Sequence, residues 1–313
     1  MTKKFDGKFW RTLWRQRALV FMMLPGLVIS AMFGLLPRVG FILCFKSFKY
    51  SEGIFGSPWT GLANYQFLIA DKVTMWRLMR NTMAYWALFN VTGTIVCLFM
   101  ALMLNECRRR YFVRISHTIM LIPSYIGYVC VTSIVYAFLA PNGLVNTMIT
   151  YFGGNTISFY ESGQYWPLIY TIIYNWKGTG TGCILYTALM AGIDQEMYEA
   201  ADIDGANKIQ QTFHITFPSM YTAITLIWIM GVASIMTSNT GLHYLVNKNS
   251  ALLANWTQTI DAYTMAGLMG ENSLVGNYGV QGAISFFQGT IGTVLTFITN
   301  GIVRKIEPAN ALY

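Results

Sequence analysis

Charge is what this sequence has least of. Only 11% of its 313 residues are Asp, Glu, Lys or Arg, against 54% hydrophobic, whereas soluble domains carry about 25% charged residues. A chain this poor in charge cannot cover its apolar faces against water, which excludes an ordinary globular protein and asks for lipid as solvent. Acidic residues are scarcer than basic ones, 13 against 21, and none lies clearly inside an apolar run. Ion-driven carriers hold carboxylates or histidines within their spans as cation sites, so coupling to a proton or sodium gradient is disfavoured. Arg38 and Lys177 are the only charges inside the runs, and neither offers an oxygen to a cation.

Other absences narrow the chemistry. The three histidines, His117, His214 and His243, are scattered and build no dyad or triad, so there are no catalytic residues to name and a membrane-bound glycan enzyme is disfavoured. The five cysteines (Cys44, Cys97, Cys107, Cys130, Cys183) form no CxxC pair and stand near no histidine at ligand spacing, which removes a disulfide framework and a metal site. No G-x-x-x-x-G-K-[ST] phosphate loop occurs. The run Lys177-Gly178-Thr179-Gly180-Thr181-Gly182 has its Lys on the wrong side and sits within an apolar segment. This chain therefore is not expected to hydrolyse ATP or to hold a cofactor. A cleavable signal peptide is not expected either, because the first apolar run is too long and follows a basic, aromatic leader.

What is present is six apolar runs near the length of about 20 residues that crosses a bilayer as helix: Leu19–Phe45, Thr82–Leu104, Ile115–Leu139, Trp166–Met190, Met220–Ser238 and Val280–Val303. The first contains Pro25 and Pro37, and is expected to be tilted or broken. With the amino terminus in the cytoplasm, thirteen basic residues fall inside, including Arg108, Arg109, Arg110 and Lys208, and six outside, among them Lys72, Arg77, Arg80 and Lys248. The positive-inside bias thus puts both termini in the cytoplasm. It also explains the net charge of +8 without nucleic acid as a partner. The fold class expected is an all-α, multi-pass membrane protein. Residues 1–17 form a leader, with Phe9, Trp10, Leu13 and Trp14 at helical spacing for the headgroup layer. Residues 18–308 form the six-helix domain, and 309–313 a tail. The outer segments at 46–81 and 239–279 are too long for turns and are expected to hold short helices.

Between the fourth and fifth runs lies Glu199-Ala200-Ala201-Asp202-Ile203-Asp204-Gly205, followed by Ile215-Thr216-Phe217-Pro218. On one helix, Ala201, Gly205 and Ile209 would share a face whose small side chains admit close approach by another protein. This pattern, E-A-A, three residues, G, nine residues, I-x-L-P, resembles the signature of membrane subunits of binding-protein-dependent ABC importers, with Phe217 in place of the usual Leu. Gly61-Leu-Ala-Asn64-Tyr65, Asn81-Thr82, Ala101-Leu-Met-Leu-Asn105, Pro123 and Trp176-Lys177 are similar to that family too, so the likeness covers nearly the whole chain. Leu24-Pro25-Gly26, Pro37-Arg38-Val39-Gly40, Tyr278, Ala283 and Phe286-Phe287 resemble its carbohydrate branch, especially permeases for polysaccharide fragments and complex oligosaccharides.

The resemblance implies a type I ABC importer permease fold in the bacterial plasma membrane. It implies a coupling loop at 195–218, with Glu199, Ala200, Ala201, Asp204, Gly205, Ile215 and Pro218 seated on an ATPase dimer. ATP and Mg would be bound by those partner subunits. A second homologous permease and an extracytoplasmic sugar-binding protein would complete the assembly. Substrate contacts would fall at Asn175, Trp176, Lys177 and Thr181 and at Ser234 and Ser238. Two readings stay open for these: Lys177 as a pathway residue or as one that snorkels to the headgroups, and Gly231 with Ser234 as pathway or as helix packing. A permease of the same family for a phosphorylated polyol or a peptide is the rival reading of substrate.

Overall fold

The computed structural model describes residues 14–66, 70–107, 109–271 and 277–306. Phe9, Trp10 and Leu13 of the expected leader, Arg108, and the expected tail at 309–313 lie outside the described residues. Among the described residues the chain is helical, with one isolated extended bridge, Lys46 to Trp59. Two compact units group residues 1–66 with 277–286, and 67–276 with 287–313.

In the first unit, α1 (Arg17–Ser30) contains Pro25 and runs on as a wider turn, Ala31–Leu35, then as a tighter helix, Leu36–Phe45. The expected first span is thus broken into three geometries, the last change falling beside Pro37. No residue of Arg17–Leu35 is buried. The Asn64 amide closes this unit by donating to the Cys44 and Lys46 carbonyls at 2.9 and 3.0 Å. A side chain at Gly279 would collide with that amide. Burial around these three residues accounts locally for the Asn in Gly-Leu-Ala-Asn64-Tyr65.

The second unit is built on α2 (Lys72–Asn105), α3 (Arg110–Tyr125), α4 (Tyr128–Leu139), α5 (Leu144–Tyr151) and α6 (Trp166–Ala191). Next come α7 (Gln195–Ile203), α8 (Lys208–Gln211) and α9 (Phe217–Val232), then α10 (Ala254–Thr257), α11 (Ile260–Leu268) and the rest of α12 (Tyr278–Ile306), which begins in the first unit. Among the described residues, five stretches are long and apolar enough to cross a membrane: Arg17–Phe45, Lys72–Asn105, Tyr128–Tyr151, Lys208–Val232 and Tyr278–Lys305. The fourth expected span, α6, has 26 residues but is diluted by Asn175, Lys177 and three glycines.

Three boundaries differ from expectation. α2 starts at Lys72, capped by Asp71 through the Thr74 N–H, not at Thr82. Its 34 residues make about 51 Å of helix, well beyond a hydrocarbon core of about 30 Å. The third run is two helices, because the chain turns extended at Ile126 and Gly127 just after Pro123. The fifth ends as helix at Val232 rather than Ser238. There the Ala233 carbonyl lies so close to Gly292 that a Cβ would sit 2.2 Å from it.

Two apolar clusters organise this unit. One joins Tyr85, Phe89, Val131, Trp166, Tyr170 and Leu242, and the other joins Cys97, Ala101, Cys183, Tyr186, Met190 and Met220. α6 belongs to both and is the spine of the unit.

Candidate functional site

The loop between α6 and α9 is a helical hairpin that caps itself. Asp194 accepts from the Glu196 N–H at the start of α7. At its end the Gly205 N–H bonds to the Asp202 carbonyl and the Ala206 N–H to the Ala201 carbonyl, the paired bonds of a Schellman stop. That stop requires a left-handed residue, and Gly205 has φ +79°. A Cβ there would meet nothing within 4 Å, so within the chain it is conformation, not crowding, that selects glycine. The expectation of one helix presenting Ala201, Gly205 and Ile209 on one face is corrected by this stop: Ile209 belongs to a second helix.

α8 opens on a reciprocal capping box. The Gln210 N–H donates to Asn207 Oδ1 at 2.9 Å and the Asn207 N–H to Gln210 Oε1 at 2.8 Å. The buried Gln211 amide donates to Asp202 and so ties the two limbs. Tyr198 and Thr216 hydroxyls bond across the loop at 2.8 Å. α8 then continues through a wider turn, Thr212–Thr216, into α9, whose second residue is Pro218.

Ala201, Asp204, Gly205, Gln211, His214 and Ile215 line a cleft of about 350 Å³ in the loop. Glu199, Ala200, Asp204 and Pro218 are exposed. So are Ile203 and Ile209, at 87% and 70%. Apolar side chains this open, beside Glu196, Glu199, Asp202 and Asp204, make a surface fit for a protein partner.

The second group of sequence candidates is dispersed. Lys177 is buried, and its Nζ donates to the Pro123 and Ile126 carbonyls at 2.8 and 2.5 Å, 4.9 Å from the Tyr128 ring. Its ammonium is spent on backbone at the break between α3 and α4: it is a second donor to the Pro123 carbonyl, which also accepts from the Ile126 N–H at 3.2 Å, and it satisfies the Ile126 carbonyl. The glycines beside it also have packing reasons. A Cβ at Gly180 would lie 2.1 Å from the Met120 carbonyl oxygen, and one at Gly182 2.4 Å from Cys97 Sγ. Of the candidates on α6, Asn175 lines a cleft of about 200 Å³ with Phe89, Asn90, Thr94, Tyr174 and Ile227. Its Oδ1 is buried without a partner among the described residues. Phe89 and Tyr174 stack at 4.3 Å. Trp176 and Thr181 are exposed and do not line it.

Ser234 bonds back to the Gly231 carbonyl at 2.8 Å. Ser238 gives both its N–H, at 2.5 Å, and its hydroxyl, at 3.1 Å, to Asp261. Gln288 donates to the other Asp261 oxygen at 3.1 Å and to the Met236 carbonyl at 2.6 Å. The small polar residues after α9 thus hold the chain's turn together.

Residues 93–311 match the family described as the binding-protein-dependent transport system inner membrane component. The chain belongs to this family. This permease is 28% identical over 292 residues to the polygalacturonan/rhamnogalacturonan transport system permease protein YteP of Bacillus subtilis (strain 168), covering 93% of this chain and 89% of that one. It is 30% identical over 294 residues to Protein LplB of the same organism, covering 94% and 90%. In fold it matches a bacterial ABC transporter involved in import of the acidic polysaccharide alginate, with TM-score 0.81, 25% identity, and 96% and 99% of the two chains covered. A second solved structure, of the bacterial alginate ABC transporter in complex with alginate pentasaccharide-bound periplasmic protein, shares the fold with TM-score 0.81 at 24% identity over 96% of this chain and 98% of that one. The permease is therefore an all-helical, multi-pass membrane protein of the ABC importer class.

Sequence reading missed two sites. His243 is almost fully buried between the Tyr85 and Tyr170 rings, each 4.7 Å away. Its Nδ1–H donates to the Thr257 carbonyl at 3.2 Å, and burial pushes its pKa down to about 4. Asp261, the acceptor of the turn after α9, was the other. Both lie in the 239–279 segment, where partners come from distant positions and no local pattern announces them.

Proposed function

We propose that this chain is one of two membrane subunits of an ATP-driven importer of saccharide oligomers, working by alternating access. The observation that carries the reading is the self-capped hairpin at 195–218, which bears the family's motif and leaves apolar and acidic side chains open. Glu199, Ala200, Ala201, Asp204, Gly205, Ile215 and Pro218 form the part seated on a cytoplasmic ATPase dimer, which binds ATP and Mg. Both termini are cytoplasmic, as the basic residues at Arg109, Arg110, Lys208, Arg304 and Lys305 favour.

A second, homologous permease forms the other half of the pathway, and an external binding protein delivers the sugar. A related importer solved with a saccharide-bound periplasmic protein supports that arrangement. The names of the relatives support saccharide as cargo. So does the cleft of Phe89, Tyr174, Asn90 and Asn175, since aromatic faces stack on sugar rings and amides bond hydroxyls. Lys177 acts in this scheme as a positioning residue for the broken third span.

The test is ATPase activity of the reconstituted complex with neutral and acidic oligosaccharides presented on the binding protein. Stimulation by a saccharide is expected. A complex that assembles and answers to no saccharide overturns the cargo and leaves the family membership.

A further inference from the structure

The extra length at the start of α2 carries Trp76, Arg77 and Arg80. With Pro167, Asn255 and Trp256 they line a cleft of about 630 Å³, within the range of small-ligand sites. Every acceptor these two guanidinium groups meet is neutral. Arg77 donates to Asn255 Oδ1 at 3.3 Å and Gln258 Oε1 at 3.0 Å. Arg80 donates to Asn81 Oδ1 at 3.0 and 3.2 Å and to the Asn255 carbonyl at 2.9 Å. Arg77 Nε is buried with no partner among the described residues.

No Asp or Glu lines the cleft. Asp71 spends its carboxylate on the Thr74 N–H, and Glu271, which shares a neighbouring cavity with Arg77, accepts from the Tyr244 hydroxyl and the Asn249 amide. Neither accepts a hydrogen bond from an arginine, although Asp71, held below the usual carboxylate range chiefly by its bonds from Thr74, also feels the Arg77 charge. Two guanidinium groups side by side with no carboxylate bonded to them call for a carboxylate or phosphate, which they bind through planar, charge-assisted bonds. Flanking them, Trp76 and Trp256 are 68% and 50% exposed. Trp256 has its other side against Gly163, where a Cβ would clash. Open indole faces beside cations suit a sugar ring that carries an acid.

We propose that this cleft is a subsite for acidic saccharide, with Arg77 and Arg80 holding the carboxylate of a uronic acid unit and the two indoles stacking on its ring and its neighbour. The inference rests on the import reading and adds the charge of the cargo to it. A lipid phosphate has the same anionic chemistry, so the test separates the two sources.

The complex of this chain with its membrane partner and ATPase is placed in nanodiscs of phosphatidylcholine alone or with one quarter phosphatidylglycerol. Tryptophan fluorescence is titrated with trigalacturonate and with neutral galactotriose. Trigalacturonate is expected to bind more tightly, and the double variant Arg77→Gln/Arg80→Gln to weaken it at least tenfold without weakening galactotriose, in both lipids. Arg80→Gln alone, at the exposed position, serves if the double variant does not assemble, with the same selectivity expected. Equal loss for both sugars, no trigalacturonate binding, or a selectivity that vanishes when phosphatidylglycerol is present overturns the subsite, the last outcome assigning the cleft to lipid phosphate. Charge-selective binding in a complex whose ATPase answers to no saccharide would remove the import reading alone. Saccharide-stimulated ATPase without dependence on the arginines would remove the subsite alone.

Discussion

Gly205 occupies a backbone conformation that costs an ordinary L-residue about 1 kcal/mol and that Asn tolerates best among them. Because open space surrounds its missing side chain, Gly205→Asn is expected to keep most uptake at normal expression, and Gly205→Val to lose it at least tenfold. Equal loss in both would show that the docked partner, not the turn, demands glycine. His243 gives a pH prediction. Its folded pKa of about 4 lies below the ordinary 6.5, so the folded chain refuses a proton that the unfolded chain accepts. Above pH 6.5 the group has no effect. As pH falls from 6.5 towards 4, stability should drop by up to about 3 kcal/mol. Thermal melting of the solubilised protein between pH 7.5 and 4.5 checks this, and His243→Gln should flatten the profile. Neither feature depends on the same kind of sequence information: the glycine stands in a local motif, whereas the environment of His243 is assembled from α2, α6 and α10.

At the scale of elements, the break between α3 and α4 is held by one side chain. Removing the Lys177 ammonium leaves the Ile126 carbonyl unpaired, at a cost of about 1–3 kcal/mol, and the Pro123 carbonyl with the Ile126 N–H alone, so Lys177→Met should lower the melting temperature while its expression and membrane insertion persist. A melting temperature unchanged by that substitution would mean that water or lipid replaces the bonds. Asp261→Ala strands the Ser238 N–H and leaves the Gln288 amide only its bond to the Met236 carbonyl, and should destabilise the turn after α9 by a comparable amount. Proteolysis near Ala233 would reveal it, with Asp261→Asn milder because one acceptor remains. Apolar runs and their approximate ends were readable from composition, since hydropathy depends on local sequence. The break at Ile126 and the early stop at Val232 were not, since each is fixed by a side chain or a glycine on another helix. The coupling motif was legible for the same reason as Gly205, but its division into two capped helices was not read from the spacing. Pathway residues fared differently: the resemblance pointed to Asn175, which lines a cleft, and to Lys177, which faces a backbone.

The whole molecule is asymmetric in charge, and that asymmetry predicts its orientation. In a background without the five native cysteines, a cysteine at Asn207 should react with an impermeant maleimide only in opened membranes, and one at Asn249 in intact cells. The reverse pattern would invert the topology. No residue of Arg17–Leu35 is buried among the described residues, which leaves this stretch for lipid or another chain to cover, so the single subunit is expected to be less stable than the pair when both are melted in the same detergent. One feature of α6 bears on how motion travels. Gly180 rests on the backbone of α3 with no side chain between, and Gly182 on the short Cys97 side chain of α2. The hairpin joins α6 at one end and runs as continuous helix into α9 at the other. In mechanical language the train has little backlash: a displacement applied at the hairpin is delivered to the middle of the bilayer before any rotamer can absorb it. Compliance is expected instead where helices stop, as at Ile126–Gly127 and in the turn after Val232.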